Sequence, residues 1–195
     1  MCGRYYVDDT TAKEIEKLAQ DPKGITAQIK TGDVMPSQTA VVLREAGKGL
    51  KAKSMFWGFP RPEGKGLLIN ARAETTLERH TFRESMRSRR CIIPAKGFYE
   101  WNREKEKYAY ERKDFPFLFM AGCYNRYQKG DCFVILTTAA NSSVSMVHDR
   151  MPLILEPDEL GAWVSDPDAA EWMLQKSMPL LRSRTEYEQM NLFPF

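Results

Sequence analysis

Residues 97–138 read GFYEWNREKEKYAYERKDFPFLFMAGCYNRYQKGDCFVILTT. Four β-rich or aromatic runs stand out in this stretch: Gly97 to Trp101, Tyr108 to Arg112, Phe117 to Cys123 and Cys132 to Thr138. Polar segments such as Asn102 to Lys107 and Gln128 to Asp131 join them and read as hairpin turns. A strand here follows a strand without a regular helical crossover, which argues against a parallel doubly wound sheet. The expected class is α+β, a curved and mainly antiparallel β-sheet system with peripheral helices.

Outward from this stretch, Ala40 to Arg44, Leu50 to Trp57 and Gly66 to Asn70 are further strand-like runs separated by Gly, Pro and charge. Thr10 and Thr11 are candidate caps for a helix that buries Ile15, Leu18 and Ala19 and ends near Asp21-Pro22. Thr75 or Thr76 opens a basic helix running to about Ser88. Pro157 and Pro167 sit at first helical positions, with Leu160, Trp163 and Val164, then Ala170, Met173 and Leu174, as buried faces. There is no repeat, linker or low-complexity tract, so residues 1–195 are expected to form a single domain.

With 43% hydrophobic and 28% charged residues in 195, the chain can bury a sizeable core. No run approaches the ~18 apolar residues of a membrane helix, and the N-terminus lacks a signal-peptide layout. The expectation is a monomer in the cytoplasm, associated with the nucleoid when bound to DNA. Cys2, Cys91, Cys123 and Cys132 form no C-x-x-C pair and only two histidines accompany them, so no metal, cofactor or disulfide framework is indicated. The net charge of +3 is mild but unevenly spread. Arg79 to Lys96 carries six Lys/Arg and one acid, whereas Leu155 to Glu171 carries six acids and no base. The arginines at 79, 83, 87 and 90 can form either a solvated helix face or a phosphate-facing patch.

Position 2 carries unusual chemistry. Methionine aminopeptidases remove an initiator Met before a small side chain, which would leave Cys2 with a free amine and a thiol on adjacent carbons. Both titrate near neutrality, at about 7.7–8.0 for the amine and about 8.5 for the thiol. An aldehyde can form an imine with the amine, and the neighbouring thiol then closes a five-membered thiazolidine, helped by proximity.

The chain also contains Met1-Cys2-Gly3-Arg4-Tyr5, Phe56-Trp57-Gly58, Asn70-Ala71-Arg72-Ala73-Glu74-Thr75, Arg90-Cys91-Ile92-Ile93-Pro94-Ala95, Gly97-Phe98-Tyr99-Glu100-Trp101 and Val147-His148-Asp149-Arg150-Met151-Pro152. In this order and spacing the set closely resembles the SRAP (SOS response-associated peptidase) family, over roughly four-fifths of the chain.

The resemblance implies covalent capture of abasic sites in single-stranded DNA by the N-terminal cysteine. Cys2 takes that role, Asn70 matches an asparagine that orients its backbone and amine, and Glu100 and His148 match the family's active-site glutamate and histidine. A carboxylate beside the amine can orient it and accept a proton, and an imidazole suits opening of the cyclic sugar near neutral pH. Arg4, Arg72 and Arg150 each lie two positions beyond one of these residues. They read as phosphate clamps, with internal salt bridges to Glu74 or Asp149 as the alternative. Trp57, Pro36 and Phe59 are candidates for stacking on exposed bases, with a core position as the alternative for Trp57.

The chain closes on Glu186 to Phe195, whereas longer family members continue with a further strand-like segment. Two other functions fit the same residues. One is a cysteine peptidase with Cys2 as nucleophile and His148 as base, acting on peptides generally or only on residues that precede Cys2. The other is a noncovalent single-strand binder in which Cys2 is incidental.

Overall fold

A computed structural model describes residues 2–19, 26–47, 49–61 and 64–185. Strand β1 (Arg4–Val7) leads into helix α1 (Asp9–Leu18), and β2 (Gly32–Val34), β3 (Thr39–Ala46) and β4 (Gly49–Trp57) follow. The short strands β5 (Phe59–Pro60), β6 (Leu67–Leu68) and β7 (Asn70–Arg72) precede helix α2 (His80–Ser88). Next come β8 (Arg90–Ala95), β9 (Gly97–Trp101), β10 (Lys107–Arg112), β11 (Leu118–Tyr127) and β12 (Gly130–Ala139). The chain continues through β13 (Arg150–Pro152), β14 (Ile154–Leu155), α3 (Leu160–Ser165), α4 (Pro167–Met173) and β15 (Leu181–Thr185).

The strands form a large sheet ordered β13-β12-β4-β3-β8-β11-β14, a smaller one ordered β15-β10-β9-β1-β2 and a two-stranded ribbon of β5 and β6. In the large sheet β11 also pairs with β12, so the path bends back on itself, and β7 joins β12 in parallel. The fold is thus α+β with a curved, mainly antiparallel sheet system and helices at its periphery, as the strand-after-strand reading anticipates.

Side-chain alternation splits the core in two. Cys132, Val134 and Leu136 of β12 face a cluster that includes Ile15, Phe82 and Trp163 from the helices. Phe133 and Ile135 face the other way, toward Tyr5, Phe98 and Tyr110 of the small sheet. Cys2 belongs to this second cluster, which brings the chemistry of position 2 into the space between the two sheets.

Three local expectations change. The N-cap of α1 is Asp8, whose side chain accepts from both the backbone N–H and the hydroxyl of Thr11, so the threonine is a donor inside the helix and not its cap. That helix ends at Leu18, and Asp21-Pro22 lie outside the described residues. The basic helix starts only at His80, because Ala73–Thr75 form a separate 3₁₀ turn. Arg90, finally, is neither a solvated face nor a phosphate contact. It is 3% exposed and donates to the carbonyls of Met86 and Arg87 in α2 and of Trp163 and Val164 in α3. One guanidinium therefore closes the negative ends of two helices, where a buried cation is best placed. The Arg90–Ala95 strand escapes the sequence reading because, buried on both faces, it shows no alternation.

Among the described residues no helix is long and apolar enough to cross a membrane.

Candidate active site

Cys2, Asn70, Glu100 and His148 are linked in a chain: Asn70 is hydrogen-bonded to Cys2, Cys2 feels the Glu100 carboxylate, and Glu100 feels His148. Cys2 precedes β1, which pairs with β9 through Arg4↔Tyr99 and Tyr5↔Phe98. The alternation of β9 turns Phe98 and Glu100 inward and leaves Tyr99 and Trp101 on the outer side. Asn70 opens β7, where it is paired with Ile135, and His148 ends the turn between β12 and β13.

The most direct contact is from Asn70, whose Nδ2 donates to the Cys2 carbonyl at 3.0 Å. Its Oδ1 is buried without a hydrogen-bond partner among the described residues, leaving an acceptor in the same polar space. Cys2 is fully buried. Burial pushes its thiol well above the ordinary range, and the Glu100 carboxylate pushes it further. Glu100 is 3% exposed, and desolvation by burial raises its pKa, with the neighbouring His148 acting in the opposite direction. The carboxylate is thus electrically coupled to both the thiol and the imidazole. Burying a carboxylate is costly, so its presence between core residues calls for a compensating role.

His148 is fixed by the next turn of chain: the Arg150 backbone N–H donates to its Nδ1 at 2.9 Å. That bond leaves the proton of the neutral ring on Nε2. Asp149 Oδ1 lies 3.0 Å from the same Nδ1, but with an N–H already aimed at that nitrogen the largely exposed carboxylate acts as a charged neighbour.

The other assignments divide. Arg72 is exposed, two residues along β7 from Asn70 and so on the same face, and it makes no ion pair among the described residues; it remains suited to a phosphate. Arg4 is partly exposed, lies 5.4 Å from the Trp101 ring centre and only grazes Asp33 at 3.5 Å. Arg150 is corrected. Its guanidinium grips Glu74 in two-point fashion at 2.7 and 2.8 Å and also donates to the Thr137 carbonyl, so it is an internal tie and not a clamp.

Trp57 and Phe59 are corrected as stacking residues too, since both are fully buried. Trp57 is stacked on Phe133 and tilted against Tyr5, and its ring N–H donates to the Ile69 carbonyl. It supports the wall behind the site, because Ile69 precedes Asn70. Pro36 is partly exposed beside Met35 and keeps a surface position.

The aromatic residue the sequence reading missed is Trp101. It lines an open cavity of about 640 Å³ with Asn102, Arg103, Met146, His148 and Asp149. The signal was available: two-residue alternation from the inward Glu100 places Trp101 on the accessible side. Among the described residues no group of three or more His, Cys, Asp or Glu side chains could hold a metal ion.

Similarity to known proteins extends over nearly the whole chain. The family model described as "SOS response associated peptidase (SRAP)" matches residues 1–194. The abasic site processing protein YoqW of Bacillus subtilis is 32% identical, with 90% of this chain and 87% of that protein covered. The abasic site processing protein YedK of Escherichia coli is 31% identical, with 88% of this chain and 84% of that protein covered. A crystal structure of a Bacteroides thetaiotaomicron protein superposes with a TM-score of 0.78 at 22% identity, covering 94% of this chain and 91% of that one. At that identity the likeness speaks for the fold.

Proposed function

Since this chain belongs to the SOS response-associated peptidase (SRAP) family, we propose that it processes abasic sites in single-stranded DNA by covalent capture through Cys2 once its amine is unblocked. The observation that carries the reading is the meeting at Cys2 of an amide on its backbone and a buried carboxylate coupled to its thiol and to His148.

In the sequence of steps we envisage, the C1′–O4′ bond of the sugar breaks to give the aldehyde, His148 passing a proton to the ring oxygen and taking up the one that the C1′ hydroxyl releases, so that no net proton is gained or lost. The Cys2 amine adds to the aldehyde carbon, and loss of one water leaves an imine. The thiol then adds across the C=N bond, its sulfur bonding to carbon and its proton passing to nitrogen, with nothing further released. A thiol held protonated by burial needs a base to start this step, and a carboxylate of raised pKa is better matched to that transfer than an ordinary one. Asn70 holds the Cys2 carbonyl so that amine and thiol present the same edge to the sugar.

A cysteine peptidase would call for a thiolate, hence a depressed thiol pKa. The upward shift at Cys2 disfavours such a thiolate. Incubation with an oligonucleotide bearing one abasic site tests the reading: a heat-stable one-to-one adduct supports it, and turnover of a peptide substrate without adduct would favour the peptidase.

A further inference from the structure

We propose that the outer face of the small sheet, centred on Tyr6 and Tyr99, is a second nucleotide subsite that holds the single strand as it leaves the lesion pocket; this rests on the single-strand reading above. The two rings lie 5.0 Å apart, and Tyr99 is 6.4 Å from Trp101, which lines the cavity at His148. The aromatic row thus runs without a break from the reactive site onto the sheet.

A cavity of about 300 Å³ opens beside it, lined by Tyr6, Tyr99, Lys107, Ala109, Glu111 and Arg184. Its floor is low because Ala109 stands opposite both Tyr99 and Arg184 in the strand register. Gly97 makes room for Tyr6, since a Cβ there would come within 2.7 Å of the tyrosine oxygen. Lys107 Nζ lies 4.4 Å from the Tyr99 ring centre. Among the described residues the one carboxylate lining the cavity is Glu111, which is largely buried, accepts from Tyr6 and from Arg182, and has Arg184 3.7 Å away as a looser, half-exposed partner that can turn to a ligand.

What the face offers a ligand is therefore aromatic surface flanked by Lys107 and Arg184. That pairing suits a base on the rings and phosphates on the cations, independent of sequence. A strand already anchored at Trp101 reaches this face by continuing along the aromatic row.

The test uses Lys107→Gln combined with Arg184→Gln, and separately Tyr99→Leu, none of which touches the Cys2 site. Binding is read by fluorescence anisotropy across a salt series, on a lesion-free oligothymidylate longer than the ~4–16 nucleotides of typical single-strand sites. The double variant should bind about five- to tenfold more weakly, with the salt slope reduced by about 1.4 for two lost phosphate contacts. Tyr99→Leu should weaken binding by about tenfold with the slope unchanged. Capture of an abasic trinucleotide, too short to reach the face, should proceed at the wild-type rate in both. Unchanged affinity and slope on the long strand would overturn the subsite, and so would an equal loss on the trinucleotide. If wild-type protein binds the long strand through this face yet forms no adduct with any abasic strand, the subsite stands and the capture reading fails.

Discussion

The side-chain amide of Asn70 donates a 3.0 Å hydrogen bond to the backbone carbonyl of Cys2, tying the start of a strand in the large sheet to the residue that precedes the small one. Asn70→Asp places a carboxylate oxygen where the donor was, facing a carbonyl. Adduct formation should slow by at least about tenfold. The unfolding midpoint should fall by no more than about 2–4 °C, as expected for one lost hydrogen bond in a chain of this size. Single-turnover capture kinetics beside a thermal melt separate the two effects, and an equal loss of rate and fold would argue against an orienting role.

Glu100 should show the opposite trade. Its carboxyl is held above the ordinary range by desolvation, so ionising it costs more in the folded protein than in the unfolded chain. That cost is absent below the unfolded pKa of about 4.3 and grows as pH rises through the raised folded value. Glu100→Gln should therefore melt higher than wild type at neutral pH, by about 2–4 °C, with the gap closing toward pH 4. Capture by the same variant should be strongly slowed. A melting difference that is constant from pH 4 to pH 7 would show that the carboxylate is not desolvated as described.

Arginines 72 and 150 should part company. Neutralising Arg72 should lower the salt slope of single-strand binding by about 0.7 with little effect on stability. Neutralising Arg150 leaves Glu74 without its partner and should cost about 1 kcal/mol of stability, the discount reflecting the half-exposed carboxylate, with the slope unchanged. Arginine holds the Glu74 pKa below the usual range by hydrogen bonding, so the contribution of the pair is present above the unfolded carboxyl pKa and disappears as pH falls through the lowered folded value. A slope change for Arg150→Gln equal to that for Arg72→Gln would restore Arg150 as a clamp.

The two tryptophans make a similar contrast. Trp57→Phe empties part of a packed wall and removes a hydrogen bond, so it should destabilise the fold by about 1–3 kcal/mol. Trp101→Ala should leave the melt nearly unchanged and weaken single-strand binding by about 1–3 kcal/mol. Titration of both variants with the same lesion-free strand decides which ring meets the bases.

The strands from Gly97 to Thr138 were legible because aromatic and β-branched runs alternate with polar turns, and the structure keeps all four with their edges moved by a few residues. Strand β8 was not, because a run buried on both faces carries no period. The short β1 and β2 depend on pairing with each other and with β9, which local pattern does not reveal. At the site, the motif residues came into view one by one. The partners of the arginines did not: whether a guanidinium faces solvent or Glu74 is settled by a contact 76 residues away in sequence. Trp57 illustrates the same limit, since a tryptophan beside glycine reads equally as surface or core until its neighbours Tyr5 and Phe133 are placed.

The central claim is that Cys2 acts through an amine and a thiol together, and intact mass analysis after incubation with a single-abasic-site oligonucleotide tests it most directly. Protein with an unblocked Cys2 should give one heat-stable species at the summed mass of protein and strand less one water. Cys2→Ala should give only an imine that needs borohydride to survive heating, and protein with one extra residue ahead of Cys2 should give neither. A heat-stable adduct of the same mass relation from Cys2→Ala, or from the extended protein, would contradict the account.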